Sequence, residues 1–397
     1  MKRISVTKKS VWIVVLIILL TVILSESASY FVLLEFKNRG LWLDEHYHPF
    51  LGWTPPKNAT IRLGGHCGYG NLLTYGYIKT DTHGRSITPL AFDKPELKIA
   101  VTGGGPVMGA GSSSNETTFP SVLEKIIHEK TGIKVEVYNL GVGGYNSFQE
   151  MLALYEFLKQ NKVDLVVSIS GRGDASDALQ EQDIRSASLI AGVYDKADII
   201  NKGASLSFFL RTYSNTYNLI YGVFPKAWRK LKDMLANNND GWLTLAKKDN
   251  DRDGRVFDNI EKRSELTSLH YSTMNALAKE NEAMYIMMLM PTAFTKKNLT
   301  EAEAKCSDSR VYMDVRVTND LLREYEQKFY NQFRKIPKEY RFYDLTDIFD
   351  QIDATALVDM CHYNDIGASV LADAVFEKIK PFLLQSKHNQ ALEIESK

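Results

Sequence analysis

The sequence predicts an α/β fold, a three-layer α/β/α sandwich around a central parallel sheet, with a helical insertion and an N-terminal transmembrane helix. Three observations predict it. Short β-branched runs end in glycine turns, and helical periodicity follows those turns. This unit occurs three times between about residues 98 and 174, and two further strand-like runs follow at 283–290 and 341–345. A charge-free apolar run stands near the amino end, behind a basic cluster. Alternation of strand, turn and helix argues for parallel strands, because a parallel pair needs a crossover that covers the sheet.

Lys2, Arg3, Lys8 and Lys9 precede the uncharged stretch from Val11 to Leu24. As a helix these residues cover about 21 Å, short of the ~30 Å hydrocarbon core. Ser25, Glu26 and Ser27 follow, then a second apolar patch from Tyr30 to Leu34. A cleaved signal peptide is one reading, since Ser27 and Ser29 are small enough for a cleavage site. The other is an uncleaved anchor, preferred because cleavage would leave the second patch as an exposed new terminus. The expectation is a cytoplasmic tail at 1–10 and a signal-anchor at 11–34. The basic residues keep the amino end inside, so the C-terminal domain of this single-pass membrane protein lies outside the cytoplasm.

Residues 35–95 are rich in Gly, Pro, Tyr and His, with turn signals at Pro55-Pro56, Gly64-Gly65 and Gly84. They read as a loop-rich linking segment with short strands that packs on the main domain. That domain is expected over 96–385. Its strands are Lys98–Thr102, Val135–Tyr138, Asp164–Ser170, Ala283–Met290 (stopped by Pro291) and Arg341–Leu345. Helices are expected at Phe119–Glu129, Ser147–Gln160 and Gly367–Leu383. The stretch 174–282 reads as a helical insertion or cap over the sheet, broken at Asn237–Asp240. The polar tail 386–397 is expected to fray.

Composition excludes some classes. Lys+Arg and Asp+Glu are both 48, so the clustered positive excess of a nucleic-acid footprint is missing and no nucleic-acid partner is expected. Cys67, Cys306 and Cys361 have no CxxC spacing and give neither a zinc nor a disulfide-framework signal. At most they make one pair and one spare thiol. Cys361 either pairs with Cys306 or is a small buried residue.

The chemistry concentrates where glycine turns follow strands, the usual ligand edge of such sheets. The first block is Thr102-Gly103-Gly104-Gly105-Pro106-Val107-Met108-Gly109. The second is Asn139-Leu140-Gly141-Val142-Gly143-Gly144-Tyr145-Asn146-Ser147, and the third Ser170-Gly171-Arg172-Gly173-Asp174. Near the C-terminus stands Asp359-Met360-Cys361-His362, followed by Asn364-Asp365 and Gly367.

In order and spacing these four blocks resemble those of the SGNH (GDSL-type) ester hydrolases, over about Glu96 to Leu383. Gly52-Trp53 with Pro55-Pro56, and Thr80-Asp81 with Gly84-Arg85, resemble the anchored envelope members of that family. The resemblance implies the SGNH-hydrolase (flavodoxin-like) sandwich and acyl transfer through a serine, with a histidine base, an aspartate orienting it, and an oxyanion hole. It also implies His362 as base, Asp359 as its orienting acid and Gly144 as a backbone oxyanion donor. The serine position, however, is Gly105, and the oxyanion asparagine position is Gly173. Glycine supplies no nucleophile, and losing one oxyanion donor alone costs ~100- to 1,000-fold in rate. The N–H of Gly105 remains as a donor. Ser112, Ser113 and Ser114 read as a solvated loop rather than a relocated nucleophile. Arg172-Gly173-Asp174 spells an integrin-type tripeptide but reads as a degenerate third block.

Asp249, Asp251 and Asp253, with Gly254, fit the first half of a calcium loop. The twelfth position is Ile260 where a bidentate Glu is needed, so a solvent-exposed turn is the plainer reading. Asn58, Asn115 and Asn298 open Asn-x-Thr sequons, which matter only in a glycosylating system. No cofactor is expected. Together these readings predict a membrane-anchored, catalytically impaired SGNH-like protein that binds an acylated glycan or a partner protein of the cell envelope. The alternative is an active esterase or O-acyltransferase on envelope polysaccharide with a non-standard nucleophile. A third option is a structural part of an envelope export complex.

Overall fold

A computed structural model describes residues 8–38, 46–48, 51–64, 75–90, 92–179, 216, 257, 259–307 and 319–395. The chain divides into two compact units, Met1–Trp42 with Tyr194–Lys248, and Leu43–Val193 with Asp249–Lys397.

In the first unit, α1 (Lys8–Asn38) is one uninterrupted helix, as a stretch free of proline and glycine permits. It covers the whole of the expected anchor. Leu16, Ile17, Leu19, Leu20, Ile23 and Phe31 expose their side chains. Ser29 Oγ donates to Thr216 Oγ1 at 3.2 Å, and the Thr216 N–H reaches Glu26 Oε2 at 3.4 Å. Among the described residues no helix is long and apolar enough to cross a membrane.

The second unit opens with two antiparallel ribbons, β1 (His46–His48) with β2 (Gly52–Thr54) and β3 (Thr60–Gly64) with β4 (Tyr75–Lys79). These are the short strands expected in the linking segment. They pack on the domain, as Ile61 and Ile78 cluster with Met108 and Ala110, and Leu51 with Tyr145.

The main sheet has five parallel strands: β5 (Leu97–Gly103), β6 (Val135–Asn139), β7 (Leu165–Ser170), β8 (Met284–Leu289) and β9 (Arg341–Asp344). Their order is β6-β5-β7-β8-β9. Between them run α2 (Gly105–Met108), α3 (Phe119–Thr131), α4 (Ser147–Leu158), α5 (Arg172–Leu179), α6 (Ile260–Glu280), α7 (Glu301–Cys306), α8 (Asn319–Lys335) and α9 (Asp365–Glu395). Because strand side chains alternate, each strand feeds two cores. Ile99, Val101, Leu165 and Val167 join Leu123 and Ile127 of α3 and Leu371, Val375 and Ile379 of α9. Ala100, Val166, Tyr285 and Met287 join Leu154 of α4, Tyr271 and Met274 of α6, and Phe329 and Phe333 of α8. The three-layer sandwich is therefore observed.

Two boundaries differ from expectation. The segment 174–282 is not all insertion. Its last part, α6, is a crossover helix whose Tyr271, Met274 and Ala278 are fully buried against the sheet. Its middle lies outside the described residues, apart from Thr216 and Phe257. The closing helix does not fray after residue 386: α9 runs through Pro381 to Glu395.

Candidate active site

The first three blocks meet at the carboxyl ends of β5, β6 and β7. Asn139, the last residue of β6, pins the glycine turns: its Oδ1 accepts the Gly141 N–H at 2.9 Å and its Nδ2 donates to the Val107 carbonyl at 2.8 Å. Gly144 adopts φ +75°, a left-handed conformation that suits glycine. The Tyr145 carbonyl joins the other two blocks, since a Cβ on Gly104 would lie 3.7 Å from that oxygen and a Cβ on Gly173 only 2.4 Å.

The fourth block is intact. Asp359 Oδ1 accepts the backbone N–H groups of Cys361 (2.9 Å) and His362 (2.8 Å), and Oδ2 accepts Nδ1–H of His362 at 2.7 Å. Burial alone would raise the Asp359 pKa, but the His362 charge and these donors outweigh it and hold the carboxyl well below its ordinary range. Burial would lower His362, and Asp359 reverses this, lifting the imidazole well above its ordinary value. The opposite ring nitrogen faces Gly105. A Cβ added to Gly105 would lie 2.3 Å from His362 Nε2. The imidazole thus fills the place that a serine side chain would take.

The structure brings the sequence-predicted residues His362, Asp359 and Gly105 together. Gly173 is close by through Tyr145, but it leaves no room for a side chain. The calcium candidates Asp249, Asp251 and Asp253 lie outside the described residues. Pairing of Cys306 with Cys361 is excluded: Cys306 is disulfide-bonded and Cys361 is a free, buried thiol. Cys67 is outside the described residues. The serines after the first block are not a uniformly solvated loop. Ser112 is buried, Ser113 N and Oγ both donate to Asp365, and Ser114 caps a 3-10 turn at Asn115–Thr117. None is a relocated nucleophile on this geometry. The integrin-type tripeptide is not available for recognition, because Arg172 and Asp174 are buried.

Several contacts around the site join residues that no local spacing pairs. Arg172 Nη1 donates to Glu326 Oε2 at 2.7 Å, Thr292 Oγ1 donates to the other Glu326 oxygen, and the guanidinium lies 5.5 Å from the Phe294 ring centroid. Glu303, at N3 of α7, is fully buried. It accepts Lys296 Nζ (2.8 Å) and the N–H groups of Thr300, Ala356 and Leu357, which fastens the loop carrying Asp359 and His362. Only the Thr-x-x-Glu capping pattern at Thr300 and Glu303 could have pointed to it. A second serine, histidine and aspartate also meet. Ser147 Oγ donates to Asp174 Oδ1 at 2.6 Å and lies 2.7 Å from His270 Nδ1, while Tyr271 OH donates to Asp174 Oδ2. The hydroxyl stands between the two partners and is fully buried, so this is a structural relay and not a nucleophile with its base.

No family model and no curated protein matches the chain. Among solved structures it is similar to the lipase Lip_vut3 from a goat rumen metagenome, with 10% identity over 70% of this chain and 95% of that one, at a TM-score of 0.38. It is also similar to the acetyl xylan esterase AlAXEase (10%, 71% and 100%, 0.36). A third is a GDSL-like lipase from Bacteroides thetaiotaomicron (12%, 74% and 92%, 0.33). At these values the likeness decides nothing about activity, which rests on the residues of the site.

Proposed function

We propose that this protein is an SGNH-hydrolase-like module, held outside the cytoplasmic membrane through its apolar N-terminal run at 11–34, that binds an acylated glycan or an envelope protein and no longer turns over an ester. The observation that carries this reading is the 2.3 Å approach of His362 Nε2 to a Cβ position on Gly105. With glycine there no acyl-enzyme forms, and the base has closed over the vacated space. Both missing side chains are now sterically disfavoured, so the loss extends beyond two point changes.

The test is hydrolysis of p-nitrophenyl acetate by the purified protein. Wild type should be no faster than His362→Ala, and a fluorophosphonate probe should label no serine. His362-dependent turnover would overturn the proposal. The tether is checked by fractionation: the protein should sediment with membranes and keep its original amino terminus.

One observation favours the second reading. The Asp359–His362 pair keeps a 2.7 Å hydrogen bond that a pure binding module does not need. An esterase acting on envelope polysaccharide through water activated by His362, or an O-acyltransferase in which His362 activates the acceptor hydroxyl, would retain it for that purpose. The same assay separates the two.

A further inference from the structure

Cys361 is the residue of the fourth block that neither reading uses. Its side chain is 9% exposed and its thiol is free. Its Sγ lies 3.9 Å from His362 Nδ1, the nitrogen that Asp359 Oδ2 approaches at 2.7 Å. Donor atoms of all three residues fall within 4.8 Å of one another. In tetrahedral zinc sites, bonds of about 2.0 Å to N and O and about 2.3 Å to S set donor atoms roughly 3.3–3.6 Å apart. The thiol-to-imidazole spacing here is already close to that range. The Asp359–His362 contact has to open by roughly 0.6 Å on those bond lengths, and the thiol has to settle about 3.5 Å from the carboxylate oxygen as well as from the imidazole.

We propose that Asp359 Oδ2, Cys361 Sγ and His362 Nδ1 bind a single zinc ion, with solvent as the fourth ligand. The carboxylate is prepared for this role, because its Oδ1 is held by the N–H groups of Cys361 and His362 and Oδ2 is left to face the imidazole. Outer-shell bonds of that kind orient metal ligands and are part of the affinity. The Arg172 guanidinium, whose Nη2 lies 3.8 Å from Met360 Sδ in the same loop, does not bring a net repulsive charge, since Glu326 pairs with it at 2.7 Å. His362 is 12% exposed, so solvent has access to the loop.

The protons balance as follows. The thiol proton leaves to solvent and the sulfur binds as thiolate. The His362 imidazolium loses the proton between Nδ1 and Oδ2 to solvent, the metal takes its place, and the ring is left neutral with its remaining proton on Nε2. Net ligand charge is −2 from the carboxylate and thiolate, matching Zn²⁺. A metal in that position and a working Asp359–His362 dyad exclude each other. Zinc binding at this loop is independent of the ligand proposed for the module.

Cobalt(II) titration of the full chain tests it, read by the near-ultraviolet thiolate-to-cobalt charge-transfer band and reversed by added zinc. The expected result is one equivalent, with the band abolished in Cys361→Ser and affinity at least tenfold weaker in His362→Gln and Asp359→Asn. Circular dichroism verifies that each variant folds. If Cys361→Ser fails that control, the other two variants decide. Absence of the band in wild type overturns the proposal, as does unchanged affinity in the variants that fold. Ester hydrolysis is not part of this readout, so the zinc site and the binding-module reading can fail separately.

Discussion

Gly173 stands against the carbonyl oxygen of Tyr145 so closely that a Cβ at 173 would lie 2.4 Å away, with Asn146 Cα at 3.2 Å. Both neighbours are backbone atoms of the turn into α4, and that turn is fixed. Ser147 N and Oγ bind Asp174 Oδ1, locking the starts of α4 and α5 together.

Gly173→Asn, which places an asparagine where SGNH hydrolases carry one, should therefore not supply an oxyanion donor. It should destabilise the domain by about 1–3 kcal/mol, as overpacking does, or roughly 2–8 °C in the melting temperature. Differential scanning calorimetry reads this directly. An unchanged midpoint would mean that the two turns separate more easily than this geometry allows.

Gly105→Ser meets a different obstacle. The atom in the way is Nε2, the far edge of an imidazole held at the other edge by Asp359. The ring must swing aside, so the variant should fold with a loss of about 1–2 kcal/mol. Its His362 imidazole resonances should shift strongly in NMR. Ester hydrolysis should stay near background, because the displaced base is no longer aligned.

Glu150 is one of several buried acids, with Asp174, Glu124 and Glu326, whose raised pKa values make stability depend on pH. It is fully buried beside Asp174, with Oε1 accepting the Ser170 hydroxyl at 2.5 Å and Oε2 unpartnered. Burial, then repulsion from Asp174, raises its pKa well above 4.5. Asp174 is also raised, chiefly by burial. For a raised acid the folded state holds the proton, so the stabilisation is complete below the unfolded pKa and is lost as pH climbs through the folded one. Urea midpoints of wild type should fall as pH rises above neutrality. Glu150→Gln should flatten that slope, with Asp174 leaving part of it.

Removing the buried carboxylate of Glu303 should be the most damaging single change near the site. Glu303→Ala strands Lys296 and frees the N–H groups of Ala356 and Leu357. A cost of about 3–5 kcal/mol is expected for one partner of a buried pair. Amide exchange over 355–363 should accelerate more than exchange in α3, which shows that the change loosens the loop carrying Asp359 and His362.

The first three strands were legible because β-branched runs end in glycine turns and the fourth because Pro291 stops an apolar run, and all five appear within a residue or two of their expected limits. The dyad was legible because Asp-x-x-His is contiguous. The crossover helix α6 was not separated from the insertion, since its buried face mixes Tyr271 and Met274 with Ser264, Thr267 and His270 and reads as polar. The relays of Arg172 with Glu326 and of Ser147 with Asp174 and His270 join residues far apart in the chain, and no local spacing marks them. The steric closure at Gly105 and Gly173 was hidden too. A sequence records a missing side chain, but not what has moved into its place.

The strand order carries a consequence for biosynthesis. β7 pairs with β5 on one side and with β8 on the other, yet the chain from Ser170 to Met284 must be made before that second partner exists. Until then the ribosome-bound intermediate presents β5 and β7 with one open edge, lined by Val166, Val167 and Ile169. Unpaired apolar edges of this kind invite association with other chains. Distant parallel pairings also form slowly. Production of this protein should therefore respond to chaperone supply and slow translation more than its native stability would suggest.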